Sequence, residues 1–225
     1  MQTPSGPSGP GTDRSDTVQL RRGDVLDGAM AILDEYGLGD LTMRKLATSL
    51  GVQPGALYWH FPNKQTLLGA MADRILEDVD APPAADTWDD ALTELAHRFR
   101  GALLAHRDGA ELVAATYASR LTTSRARDGF VAAAQRGGLS RAYAELTGYA
   151  LLHYVLGHTV DEQSRIQLAE LGALTRAPLA PGVDTGESPT SDDDLLDGDP
   201  AVRFDFGLTL LVDGIRRRLS EHVPS

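Results

Sequence analysis

At 225 residues the chain can hold one large or two small domains with a sizeable core, and its lack of cysteine excludes disulfides and thiolate metal sites. It shows no basic-then-apolar leader and no apolar run of about 18 residues, so a soluble, cytoplasmic protein is expected. The 21 Lys and Arg against 32 Asp and Glu give a net charge of −11, which taken whole speaks against a nucleic-acid binder.

In chain order, residues 1–16 (MQTPSGPSGPGTDRSD) are rich in Pro, Gly and Ser, cannot bury a core, and predict a disordered tail, with a passive Arg14 favoured over one that touches a minor groove. A helix follows from Arg21 to Tyr36, with Val25, Ala29, Ile32, Leu33 and Tyr36 at helical spacing and Gly37 as its stop. The stretch from Leu41 to Lys64, LTMRKLATSLGVQPGALYWHFPNK, then fits two short helices across a tight turn. Its first helix, Thr42 to Leu50, turns Leu41, Leu46, Ala47 and Leu50 inward and Arg44, Lys45 and Ser49 outward. Gly51 supplies a left-handed stop, Val52 folds back, and Pro54 opens a second helix where its missing N–H costs nothing. From Gly55 to Phe61 the pair Leu57 and Phe61 points inward, leaving Gln53, Gly55, Ala56, Tyr58, Trp59 and His60 outside. That segment, about 7 residues or ~10 Å long, suits the floor of a DNA major groove. Small residues at its start permit approach to base edges, where Ala56 can meet a thymine methyl. Tyr58, His60 and Lys64 reach for phosphates, and Asn63 caps the next helix. These three helices form a DNA-binding domain over 17–64.

Charge separates along the chain. Up to Lys64 there are 6 Lys and Arg against 7 Asp and Glu (−1); beyond it, 15 against 25 (−10), so the acidity belongs to the second part. A connecting helix, Lys64 to about Val79 within a 64–80 linker, carries Leu67, Leu68, Met71, Ile75 and Leu76 until Asp80, Ala81, Pro82 and Pro83 break it. Residues 86–222 read as a second helical domain. Asp86 or Thr87 caps a helix to about His106, Ala110–Ser119 forms a shorter one, Thr123 or Ser124 starts another to Arg136, and Ser140 caps the next, which runs to about 160. A mobile acidic loop is expected over 174–199, and Asp199 with Pro200 opens a last helix to about 222. With no useful period-2 run, the fold class is all-α. The helices over 140–160 and 200–222 are apolar on more than one face, the last through Val202, Phe206, Leu210 and Val212, which calls for a second copy of the chain to cover them. Two recognition helices about 34 Å apart then read a palindrome.

Thr42, Arg44, Leu46, Ala47, Gly51, Val52, Leu57, Tyr58, Trp59, His60, Phe61 and Lys64 together resemble the DNA-binding signature of the TetR family of bacterial repressors. The resemblance implies a DNA-contacting set of Thr42, Arg44, Gln53, Gly55, Ala56, Tyr58, Trp59, His60 and Lys64, a homodimer, a double-stranded DNA operator and a small-molecule effector. It extends to the second domain through Trp88–Asp90, Phe99–Leu112 and Gly148–Gln163, which look like runs of the tetracycline-binding members. In an ungapped alignment from Trp88, however, their metal-binding imidazole falls on Val113 and their drug-binding asparagine on Leu95. With gaps, the glutamine falls on Phe130 and a histidine on Asp80, while Phe99, Thr116 and His153 match and Asp161 replaces a glutamate. Valine cannot ligate Mg²⁺, so an effector other than magnesium-tetracycline is expected.

The candidate effector wall is Leu95, Phe99, Val113, Thr116, Tyr117, Phe130, Tyr149 and His153, suited to an aromatic or polycyclic molecule with few hydrogen-bonding groups, although Phe and Leu at helical spacing are also ordinary core. His97, His106, His153 and His158 with Asp161 and Glu162 invite a metal reading, but the five-residue step from His153 to His158 turns those rings apart; no metal, cofactor or catalysis is expected. Two alternatives stay open: a helical enzyme using the histidine-rich domain, and a DNA-binding protein without an effector.

Overall fold

The computed structural model describes residues 20–122, 126–170, 172 and 199–221, and among them there are helices and turns but no strands. The helices are α1 (Arg22–Tyr36), α2 (Met43–Ser49), α3 (Pro54–Tyr58), α4 (Lys64–Ile75), α5 (Trp88–Leu104), α6 (Gly109–Ala118), α7 (Ala126–Arg136), α8 (Arg141–Glu170) and α9 (Pro200–Glu221), with single 3-10 turns at Leu38–Asp40 and Glu77–Asp80. The expected tail over 1–16, the Thr123 or Ser124 start and residues 174–198 of the expected loop lie outside the described residues.

The cap chemistry places most boundaries. Thr42 accepts from the Lys45 N–H (3.1 Å), Asn63 from Thr66 (2.8 Å), Thr87 from Asp90 (3.3 Å) and Asp199 from Ala201 (2.8 Å), so four helices start behind a side-chain oxygen. At the end of α2, Gly51 sits at φ 66°, with Gly51 N–H donating to Thr48 O and Val52 N–H to Ala47 O, the paired bonds of a left-handed helix stop.

Three boundaries differ from the sequence expectation. α3 ends at Tyr58 and not Phe61, because Pro62 has no N–H to extend the ladder and biases Phe61 away from helical geometry; the chain instead closes with His60 N–H to Leu57 O at 3.0 Å. α4 stops at Ile75 and tightens into the second 3-10 turn, where Glu77, Asp78 and Asp80 crowd a helix end that disfavours negative charge. α8 continues past 160 to Glu170, since two of the residues that bury its last turns, Glu162 and Gln163, are polar and escape an apolar pattern.

α5, α7 and α8 pack mutually, α9 lies against α5 and α8, and α6 bridges α8 to α4. One contiguous core runs from Val25, Leu33, Leu46, Leu57 and Phe61 in the small domain, through Met71, Leu76 and Val79, into Leu92, Phe99, Phe130, Val155 and Phe204. The small domain is therefore packed onto the larger one and not tethered to it. Val212 joins this core (3% exposed), which corrects its expected place on the outer face of the last helix; Val202, Phe206 and Leu210 do lie outside.

The backbone of α4 comes close to the second domain at Gly69, where an added Cβ would stand 2.5 Å from the Leu121 carbonyl oxygen. Gly69→Ala is expected to cost about 1–3 kcal/mol through this clash, outweighing the ~1 kcal/mol that alanine offers a helix interior. It should also lower DNA affinity by displacing α4. Thermal melts and operator titrations of the variant check both, and a more stable variant with unchanged affinity would show that the approach carries no constraint.

Candidate functional site

α3 projects the features expected to read DNA. Leu57 and Phe61 anchor it with no exposed surface, while Gln53, Gly55, Tyr58 (48% exposed) and Trp59 (89%) face outward and Ala56, His60 and Lys64 are half-buried. A tryptophan nearly nine-tenths exposed is poorly solvated unless it meets a partner. Arg44 is exposed with no ion pair among the described residues, and the Thr42 hydroxyl is engaged as the α2 cap. The nine expected DNA-contacting residues run from Thr42, the cap of α2, to Lys64, the first residue of α4, and none of them is fully buried. Lys45 is different: its ammonium lies 3.4 Å from Asp40 and over the Tyr36 ring, which turns it toward α1.

The expected effector wall divides. Leu95, Phe99, Val113, Thr116 and Phe130 are all at most 1% exposed and share the core between α5, α6 and α7, with Tyr117 half-buried against it. The Thr116 hydroxyl is spent on Val113 O at 2.9 Å. Tyr149 and His153, by contrast, are exposed and stacked on each other 6.1 Å apart, with the Arg127 guanidinium 4.6 Å over the tyrosine ring. The period of α8 explains the split: Leu151, Leu152, Val155, Leu156 and Thr159 occupy its core face, which leaves 149 and 153, one turn apart, on the outside.

Between these regions lies a polar linkage that periodicity did not reveal. Gln163 of α8 donates to Leu103 O (3.1 Å) and His106 O (2.7 Å) and accepts from Ala110 N–H (3.0 Å), tying the open end of α5 to the start of α6. Gln167 bonds Asp108, whose other carboxylate oxygen accepts from Leu38 N–H of the small domain at 2.7 Å. Asp108 holds a left-handed backbone (φ 54°) to do so, and His106 Nδ1 stands 3.0 Å from Asp34 of α1. Only the unusual AHRDG turn offered a sequence signal for this bridge.

A second buried polar group sits where α5, α8 and α9 meet. Arg100 makes a two-pronged bond to Glu162 (2.9 and 2.6 Å) and lies 5.1 Å from the Phe204 ring centroid. His158 packs edge-on to Phe204 with its Nδ1 buried and unbonded, 3.9 Å from Glu162. Burial holds the His158 imidazole below its usual value of 6.5; Glu162 opposes this, Arg100 and Arg203 reinforce it, and Asp161 opposes it weakly. The neutral ring is thus the form that fits the fold. Its contribution is fully present above pH 6.5 and falls as the pH drops below that value, because the unfolded chain then takes up the proton first. Urea midpoints between pH 5 and 8 should decline on the acid side and lose part of that decline in His158→Leu; equal slopes for the two proteins would contradict the assignment. Among the described residues no group of three or more His, Asp or Glu is placed to hold a metal ion, and no helix is long and apolar enough to cross a membrane.

Comparison with known proteins agrees with this geometry. Residues 25–71 match the family model for bacterial regulatory proteins of the tetR family, and residues 81–219 that for the tetracyclin repressor-like C-terminal domain. The class A tetracycline repressor protein from transposon 1721 of Escherichia coli is 35% identical over 208 residues, covering 89% of this chain and 93% of that protein. Among solved structures, BioQ of Mycobacterium smegmatis superposes with a TM-score of 0.74 at 42% identity, over 88% of this chain and 98% of that one. A BioQ bound to its natural double-stranded DNA operator gives 0.69 at 40%, with the same coverage. The chain belongs to the TetR family of bacterial regulatory proteins: it is a transcriptional repressor with an N-terminal helix-turn-helix and a tetracyclin repressor-like C-terminal domain.

Proposed function

We propose that the effector is an aromatic or polycyclic, largely apolar molecule other than magnesium-tetracycline, received between α5, α6 and α7 by Leu95, Phe99, Val113, Thr116, Tyr117 and Phe130. The observation that carries this reading is the chemistry of these core side chains: Leu95, Phe99, Val113, Tyr117 and Phe130 are apolar or aromatic with little to hydrogen-bond, and in the sequence alignment Val113 and Leu95 fall where metal- and amide-binding side chains would be required. Tyr149 and His153, on the outer face of α8, have no place in this wall. Because the core is continuous with α4, a molecule that wedges into it changes the angle at which each recognition helix is held; a coupling of about 1–3 kcal/mol is enough for regulation.

On the DNA side, Gln53, Gly55 and Ala56 meet base edges and Arg44, Tyr58, Trp59, His60 and Lys64 reach the backbone, with Thr42 holding α2 in register. The setting is the cytoplasm, and no catalysis is involved. The test has two arms. A gel shift against the promoter region of its own gene should show sequence-specific retardation, weakened in Tyr58→Ala and Lys64→Ala. Thermal-shift screening with aromatic natural products should then find a molecule that raises the melting temperature and releases the DNA. A second reading, a repressor whose core admits no molecule, is favoured by the full burial of Leu95, Phe99, Val113, Thr116 and Phe130; a screen without hits, alongside specific DNA binding, would select it.

A further inference from the structure

The reading head, taken as the described residues up to the end of α4, carries six cations: Arg21, Arg22, Arg44, Lys45, Lys64 and Arg74. Two are neutralised. Lys45 is 3.4 Å from Asp40, and Arg74 is 3.0 Å from Asp27 and 3.8 Å from Glu77. The other four make no ion pair with any carboxylate among the described residues. Arg44 and Lys64 already belong to the DNA-contacting set, which leaves Arg21 and Arg22, both exposed, without an assigned role.

Their position is not that of loose surface charge. The Arg22 guanidinium lies 4.2 Å over the ring of Phe61, a residue with no exposed surface whose N–H still bonds Leu57 O at 2.9 Å. A stacked guanidinium keeps its in-plane N–H donors available for a phosphate while the aromatic face fixes its location. Phe61 directly follows His60 and precedes Lys64 by three residues, so the start of α1 is held at the end of the recognition segment that carries those two side chains. Asp24, the acidic residue of the first turn of α1, accepts from the Arg21 backbone N–H at 2.7 Å and not from either guanidinium.

We propose that Arg21 and Arg22 grip backbone phosphates beside the recognition helix, adding a contact strip from α1 that widens the footprint of each head. The proposal rests on the reading of this head as the DNA-binding surface. A phosphate grip is indifferent to base sequence, so its loss weakens specific and non-specific binding alike and flattens the salt dependence.

The experiment uses the full-length chain and two duplexes of equal length, one enriched from a random library by the wild-type protein and one of scrambled sequence, titrated over a salt series. Arg21→Gln and Arg22→Leu should each reduce the slope of log K against log salt by about 0.9 per head, or ~1.8 for a dimer, on both duplexes. Leucine keeps an apolar cover on Phe61. If Arg22→Leu nevertheless lowers the melting temperature, Arg21→Gln decides the phosphate role, and Arg22→Lys, which retains the charge, should keep the wild-type slope. Arg165→Gln, in the second domain, serves as the control and should change nothing. Wild-type slopes in both the Arg21 and Arg22 variants, with discrimination between the duplexes intact, overturn the inference, as does a loss confined to the enriched duplex. Failure of the wild-type protein to enrich any sequence would instead overturn the reading of the head itself.

Discussion

Phe206→Glu combined with Leu210→Glu is expected to turn the dimer into a monomer and to weaken operator binding by about 10²–10⁴-fold. The two side chains are 68% and 58% exposed and lie one turn apart on α9, and Leu210 shares a groove of about 380 Å³ with Leu146 (64% exposed) and Tyr143 (43%) of α8. So much apolar surface on two adjacent helices is unusual for a surface left in water. A second copy presenting the same pair of helices would cover it with a matching apolar face. Two charges placed at its centre would be desolvated without partners, a cost that a dimer of ordinary stability does not survive. Neither residue packs in the protomer core, so the fold itself should persist. Sedimentation velocity and circular dichroism separate the outcomes: a folded monomer that binds DNA weakly is expected, while a dimer that persists at micromolar concentration would place the interface elsewhere.

The largest loss of stability is expected from Glu162→Ala, at about 3–5 kcal/mol. Removing the carboxylate leaves the Arg100 guanidinium, whose side chain is only 14% exposed, with no counter-charge at either prong of its bond. Phe204, the fully buried anchor of α9, rests against the same guanidinium, so the damage spreads to the helix that carries the exposed Phe206 and Leu210. In a chain of this size the melting temperature should fall by about 6–20 °C. The companion variant Arg100→Met with Glu162→Leu removes both charges together and should recover most of the loss, because an apolar pair carries no desolvation penalty. A single variant as stable as wild type, or a double variant as damaged as the single, would show that the pair is not the constraint on this corner.

The local rules carried most of the reading head. Thr42, Gly51, Pro54 and Asn63 act through short-range chemistry, a cap, a left-handed stop, a first-turn proline and another cap, and each is legible in its own neighbourhood. Where Pro62 shortened α3, the competing signal was also local but outweighed by the pull of the Leu57 and Phe61 spacing. The expected wall of the second domain was less legible. Helical spacing shows that Tyr149 and His153 share a face, yet only the packing of α7 against Gly148 and of α5 against α8, which buries Leu152 and Val155 on the other side, decides that this face is turned away from the core.

The sequence by itself therefore determined the all-helical class, the helix-turn-helix, the order of the helices and the family, because these depend on residues within a few positions of one another. Tertiary structure alone decided which apolar stripes meet, that Gln163 ties α5 to α6 while Asp108 bridges the two domains, that Arg100 and Glu162 pair across 62 residues, and that Arg22 lies on Phe61. Those contacts join segments far apart in the chain. They form only when burial of the whole core fixes the helices in place, so no local pattern announces them.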